Sequence, residues 1–362
     1  LETYTDYKLS NELKFYNQTK YRKEFYGYED MNLSLNFNFY DSFSDNIATQ
    51  DSFKIKNVSN RIGIKGNSKL FNYDIYGNFG YFKYHVNALE NSFSEIYVGG
   101  LLKYKNPSFD IVSNFEIKKS SDYRLKVDLK SKIFEASYLS ALYEPKIFER
   151  IYLGNHYSWE NNFNSSFVNN LNAKINLENR FITFSPSINF YTIKDHIYFV
   201  GDNHLQADQV ITFNQFIVDL KLKLLNNKIN FDNKFTYNLS SNSANGILNF
   251  PKQTLYSKLY YNGIWFNNTI PVQLGTIISY RSEFYGDAYD PITQNFYVQN
   301  EFMLERYLRF DLFFTMQVNN LRIFLKMNHF NQFDSFDGYF VTPYYPAQKK
   351  VLDLGVRWYF FN

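Results

Sequence analysis

Apolar and polar residues alternate along most of this chain with a period of two. In VLDLGVRWYFFN (351–362), Leu352, Leu354, Val356, Trp358 and Phe360 share one face, and Asp353, Gly355, Arg357, Tyr359 and Phe361 the other. That is the signature of a strand, whose successive side chains point to opposite sides. LRIFLKMNH (321–329) sets Leu321, Ile323, Leu325 and Met327 against Arg322, Phe324, Lys326 and Asn328. LRFDLFFTMQV (308–318) sets Leu308, Phe310, Leu312, Phe314, Met316 and Val318 against Arg309, Asp311, Phe313, Thr315 and Gln317. Only Asn319 and Asn320 separate these two runs, and Asn tolerates the positive φ of a tight hairpin turn. QFIVDLKLKLL and INFDNKFTY form a second such pair around Asn226 and Asn227.

The same alternation predicts strands at Thr5–Tyr16 and Met31–Tyr40, and over 58–66, 69–84, 94–105, 107–118, 123–130, 133–143, 167–178, 181–193, 253–265 and 270–284. No stretch has a competing helical period. The predicted strands run to about 9–13 residues, whereas strands of soluble sheets centre on about 5–6. About 9–11 residues is what a tilted strand needs to cross a bilayer. A soluble sandwich would also alternate, but its outward positions need not be Lys, Arg, Asp and Asn in unbroken series. A closed barrel leaves no unpaired edge in lipid. The expected fold is therefore all-β: a transmembrane antiparallel β-barrel of about 16–18 strands, with apolar faces to lipid and polar faces to water.

Link lengths support this expectation. With the C-terminus on the periplasmic side, 331–349 is a long link and Asn319-Asn320 a short one. Before them 285–307 is long, 266–269 short, 240–252 long, 226–227 short, 194–208 long, 179–180 short, 144–165 long and 131–132 short; 119–121 is short where a long link is expected, and 105–107 short, 85–93 long, 66–68 short and 41–54 long complete the series. Short periplasmic turns and long extracellular loops alternate in this way in outer-membrane barrels. The pattern requires NFYVQNEFML (295–304) and NHYSWENNF (155–163) to be loop extensions. About 17 crossings result, and because a barrel with both ends in the periplasm needs an even number, either Thr5–Tyr16 is not a full crossing or a further strand lies upstream of Leu1, the second being the expectation. Residues 1–362 are expected to form one barrel domain.

Composition changes the picture in two respects. The chain has 39 Phe and 33 Tyr, and its aromatic content with Trp is 21%, far above what a soluble core of this size uses. A formal charge of +3 provides no field for nucleic acid. Cys is absent, no apolar run approaches the length of a transmembrane helix, and LETYTDYKLSNELKF has no signal-peptide pattern.

The segment FVTPYYPAQKKVLDLGVRWYFFN (340–362) resembles the C-terminus of the Bacteroidetes-type putative outer-membrane porin family: a Tyr/Pro loop, then a last strand ending in Gly-x-x-Trp and an aromatic pair before Asn. DLFFTMQVNNLRIFLKMNHFNQ (311–332) resembles that family's penultimate hairpin, and FYGDAYDPITQNFYVQN (284–300) its large loop. The resemblance covers about the last fifth of the chain. It implies a pore without naming a solute, and it implies that Trp358, Phe360 and Phe361 act as a signal to the barrel-assembly machinery.

Catalytic templates such as H-E-x-x-H and G-x-S-x-G are missing, so no enzyme, cofactor or metal is expected. The His residues, at 85, 156, 196, 204 and 329, scatter among loops and strand ends. Acidic loop positions (Asp334 and Asp337 beside Gly338, Asp287 and Asp290, and Asp202, Asn203 and Asp208) match no Ca²⁺-loop spacing and are expected to be solvated tips. The expected pore-lining residues are Arg61, Lys65, Arg124, Lys126, Asp128, Lys130, Arg281, Glu283, Arg309, Asp311, Arg322, Lys326, Asp353 and Arg357. Their slight basic excess implies a weak anion preference. The expected function is passive diffusion of small polar solutes; the alternative is an accessory barrel of a larger outer-membrane complex. Expected partners are the lipid bilayer, lipopolysaccharide, the assembly machinery and other outer-membrane proteins.

Overall fold

The computed structural model describes residues 1–360 except 11, 34–39, 41–43, 46, 88, 121 and 333–338. The chain divides into two compact units, one of 1–172, 190–212 and 289–298, the other of 173–189, 213–288 and 299–362. Among the described residues, seventeen long strands and the two-residue strand Leu177–Glu178 make an antiparallel sheet.

The first unit is a meander of β1 (Glu2–Lys8), β2 (Leu13–Asp30), β3 (Thr49–Asn67), β4 (Phe71–Val86), β5 (Leu89–Lys105), β6 (Phe109–Lys118), β7 (Tyr123–Ser131) and β8 (Phe134–Tyr143). Each pairs with the next in unbroken register. Strands β9 (Ser166–Ile175) and β10 (Ile182–Lys194) are divided between the units. The second unit continues with β11 (Ile211–Leu224), β12 (Ile229–Ser240), β13 (Gln253–Trp265), β14 (Ile270–Arg281), β15 (Tyr307–Val318), β16 (Leu321–Asn328) and β17 (Val351–Trp358). These too pair sequentially.

The tight turns sit where Asn was expected to supply them. Leu225, Asn226 and Asn227 all have positive φ, and Asn319 turns at φ +50°. Segments 155–163 and 295–304 are not crossings: each contributes only short strands, Ser158–Glu160, Asn295–Tyr297 and Met303–Leu304.

The N-terminal expectation is corrected. Thr5–Tyr16 contains a turn in which the Leu9 amide donates to the Leu13 carbonyl, and the long strand that follows runs to Asp30. Met31, Asn32 and Leu33 lie outside any strand, and the rest of the expected strand Met31–Tyr40 lies mostly outside the described residues. The stretch NQTKYRKE in β2 conceals its alternation because Lys and Arg occur on both faces. Its ladder with β3, from Leu13 opposite Gly66 to Asp30 opposite Thr49, shows that backbone pairing determines this strand.

Candidate channel wall and loop cap

Directly opposed residues of an antiparallel ladder point to the same side, so the register sorts the charged side chains. In the first unit Lys65 opposes Asp74, Glu116 opposes Arg124, and Asn114 opposes Lys126. Arg61, Lys65, Arg124, Lys126, Asp128 and Lys130 all share this polar face. Val58, Ile62, Ile64, Ile75, Ile96 and Val98 are exposed on the other.

The polar face is held by tyrosines laid across glycines. A Cβ on Gly63 would come within 2.7 Å of the Tyr16 ring, and one on Gly99 within 2.6 Å of the Tyr76 ring. Only glycine lets these rings lie flat on the neighbouring strand. The Tyr16 hydroxyl donates to Asp74 at 2.8 Å and the Tyr76 hydroxyl to Glu116 at 2.7 Å. The Arg61 guanidinium stacks 3.9 Å above the Tyr76 ring and lies 3.9 Å from Glu116. Lys65 sits over the rings of Tyr4 and Tyr16. Lys126 pairs with Asp128 at 2.9 Å, and Lys130 with Glu135 at 3.9 Å.

In the second unit the polar face carries Arg309 and Asp311 on β15, Arg322 and Lys326 on β16, and Asp353 and Arg357 on β17. Asp311 is fully buried. It lies 3.4 Å from Arg309 and 3.5 Å from Lys326, and accepts the His329 amide at 3.0 Å. The three arginines of the C-terminal strands are therefore not one patch. Arg309 is engaged by Asp311, whereas Arg322 and Arg357 stand directly opposite one another. With Lys258 and Lys326 they line a cavity of about 280 Å³. Asp353 opposes Lys326 and accepts from Asn328 at 2.5 Å.

One expected wall residue lies elsewhere, whereas Arg281, opposite Tyr307 on the face of the Ser279–Arg309 pair, stays on the polar face at the strand end. Strand β14 ends at Arg281, where the Ser282 amide donates to the Gln253 carbonyl, so Glu283 is an exposed loop residue. Arg281 anchors a loop: Nη2 donates to the Phe340 carbonyl at 2.5 Å and the guanidinium rests on the Phe284 and Tyr339 rings. Asp290 is buried and serves as a turn cap, accepting from the Ile292 and Thr293 amides. Asp334, Asp337 and Gly338 lie outside the described residues. Among the described residues no three His, Cys, Asp or Glu are grouped to hold a metal ion.

Sequence reasoning missed the loop cap of the first unit. A helix turn, α1 (Ile147–Arg150), and the hairpins Ile151–Leu153/Ser158–Glu160 and Ile197–Phe199/His204–Gln206 carry Ile147, Tyr152, Trp159 and Phe199. These pack with Phe53 of β3 and Val86 of β4 in one apolar cluster. Phe53 opposes Val86 two pleats from Asn57, on the polar face, so the loops fold over that face. Asp51 fastens them by accepting the Asn155 amide at 2.9 Å, and Thr49 meets His156 at 2.7 Å. Burial holds His204 neutral, with its pKa down at about 4. The aromatic run NHYSWENNF hinted at such packing, but period alone does not separate an in-folded hairpin from a crossing.

The family model described as putative porin matches residues 3–362. The chain belongs to the putative porin family. The match extends far beyond the C-terminal fifth that carried the resemblance. No protein of curated function matches it in sequence. Similar solved structures include the FrpB iron transporter from Neisseria meningitidis (F5-1 variant), at TM-score 0.66 and 10% identity over 99% of this chain and 63% of that one. The copper transporter OprC gives 0.65 and 11% over 92% and 58%. The siderophore receptor PiuA from Acinetobacter baumannii gives 0.59 and 12% over 98% and 63%. The chain thus spans about three-fifths of the length of these structures. Family and fold together make this porin-family chain a transport-related β-barrel of the bacterial outer membrane.

Proposed function

We propose that this porin-family chain forms, as one barrel domain, the wall of a water-filled channel through which small polar solutes diffuse passively. The observation that carries the reading is the sorting of charge by register: Arg61, Lys65, Arg124, Lys126, Asp128 and Lys130 in the first unit, and Arg309, Asp311, Arg322, Lys326, Asp353 and Arg357 in the second, fall on the polar faces of their strands, and mostly apolar side chains occupy the opposite faces, with Lys54, Lys56 and Asn60 of β3 the exceptions there. The apolar faces then meet lipid and lipopolysaccharide. The opposed Arg322 and Arg357 give a local basic field and a weak anion preference. Trp358 and Phe360, 63% and 72% exposed and stacked at 5.0 Å, serve with Phe361, which lies outside the described residues, as the signal to the assembly machinery. No catalytic role, cofactor or metal enters this reading.

A second reading, an accessory barrel within a larger outer-membrane assembly, draws support from the loop cap, which covers part of the polar face of the first unit. Planar-bilayer recording separates the two. The channel reading expects discrete steps whose reversal potential in a KCl gradient favours anions and shifts toward cations in the Arg322→Glu/Arg357→Glu variant. Absence of steps from the folded protein favours the accessory reading. Steps with unmoved selectivity place the selecting field elsewhere.

A further inference from the structure

The first unit contains a cavity of about 570 Å³ between the polar face of β2–β6 and the loop cap, within the roughly 300–1,000 Å³ of small-molecule sites. One side of it is aromatic. Phe82 and Phe93 stack with centroids 4.9 Å apart and rings nearly parallel, and Phe53 and Phe148 meet edge to face at 5.4 Å. Much of the rest is charged, and six of the charged side chains are already paired. Arg22 pairs with Glu24 at 2.5 Å, Lys118 with Glu95 at 2.9 Å, and Lys146 with Glu149 at 3.4 Å. With Arg150 and Glu144 the lining holds four cations and four anions.

Such a lining has no net charge with which to hold an ion, but it has many fixed donors and acceptors. An aromatic face is negative and attracts the positively polarised C–H bonds of an apolar ring face. His204 adds a third feature. It is 7% exposed, lines the cavity, and its Nδ1 has no hydrogen-bond partner among the described residues. A neutral imidazole offers one donor and one acceptor, which matches a hydroxyl. We infer that this cavity binds a neutral sugar, its ring C–H face on the Phe82–Phe93 stack and its hydroxyls among the paired side chains and His204. The inference rests on the channel reading and specifies its solute class.

Trp159 supplies the test, because its ring lies 5.3 Å from Phe148 and 5.1 Å from His204. The full chain in detergent micelles is titrated with maltose while tryptophan fluorescence is followed, with folding checked by heat-modifiable gel mobility. The expected result is a saturable change with Kd of about 1–10 mM. Phe82→Ala should weaken it about three- to tenfold, and Lys118→Gln, which leaves the aromatic wall intact, should weaken it as well. Trp159→Phe should silence the signal. No saturable change in the folded protein, an equal change in Phe82→Ala, or a response to the zwitterion glycyl-phenylalanine in place of maltose overturns the assignment. Because no current is read, conductance steps without a maltose response defeat this inference alone, and a maltose response without steps defeats the channel reading alone.

Discussion

Asp311 carries the sharpest energetic consequence of the wall. Its carboxylate is 0% exposed and is shared by Arg309 at 3.4 Å and Lys326 at 3.5 Å. Asp311→Asn preserves volume and still accepts the His329 amide, but leaves two cations facing a neutral group. Removing one partner of a fully buried pair costs about 3–5 kcal/mol. Here the cations are 34% and 37% exposed, so water compensates part of the loss and about 2–3 kcal/mol remains. The assay is urea unfolding in lipid vesicles, followed by tryptophan fluorescence and heat-modifiable mobility. The double variant Asp311→Asn/Lys326→Met removes one stranded cation and should recover at least about 1 kcal/mol of coupling. A loss below about 0.5 kcal/mol in the single variant, or strict additivity in the double, would refute the reasoning.

Three further outcomes are expected. Leu354→Lys, on the apolar face opposite Leu325, should cost about 2–4 kcal/mol near the bilayer midplane, and Arg357→Gln under about 1; equal losses in vesicle unfolding would mean that the faces are reversed. Gly99→Val should displace the Tyr76 ring and cost about 1–3 kcal/mol, whereas Gly77→Val, with nothing within 4 Å of its Cβ, should be nearly neutral by the same assay. The loop cap should loosen as pH falls from about 6.5 to about 4. His204 is neutral in the folded cap with a pKa of about 4, the unfolded segment takes up the proton first, and folding is favoured less across that window; limited proteolysis at 144–165 should accelerate there in the parent protein and less in His204→Asn, where His196, also lowered by burial, remains.

The sequence discloses strands well and the loop cap poorly, for a physical reason. Period-two alternation is imposed wherever one face is apolar, so β11 to β17 and their Asn turns are legible residue by residue. Strand β2 is not, because its charges fall on both faces and only the partner β3 defines it. Glu283 was misplaced for the complementary reason. Alternation continues past the last ladder bond, and the bond that ends β14, from Ser282 to Gln253, involves a residue far off in sequence. The Tyr16–Gly63 and Tyr76–Gly99 contacts likewise depend on register, which the chain does not spell out. The high aromatic content signalled an unusual solvent without showing that part of it builds a cap over the polar face.

Cysteine accessibility decides which face of the sheet meets water, and this chain suits the method because it contains no Cys. Single cysteines placed along β16 and β17 are exposed in intact outer-membrane vesicles to a charged, membrane-impermeant maleimide. Labelling is expected with a period of two: R322C, F324C, D353C and R357C react, and I323C, L325C, L354C and V356C are protected by lipid. Uniform labelling, or reaction at the second set in place of the first, would contradict a polar face lining water and an apolar face buried in the bilayer.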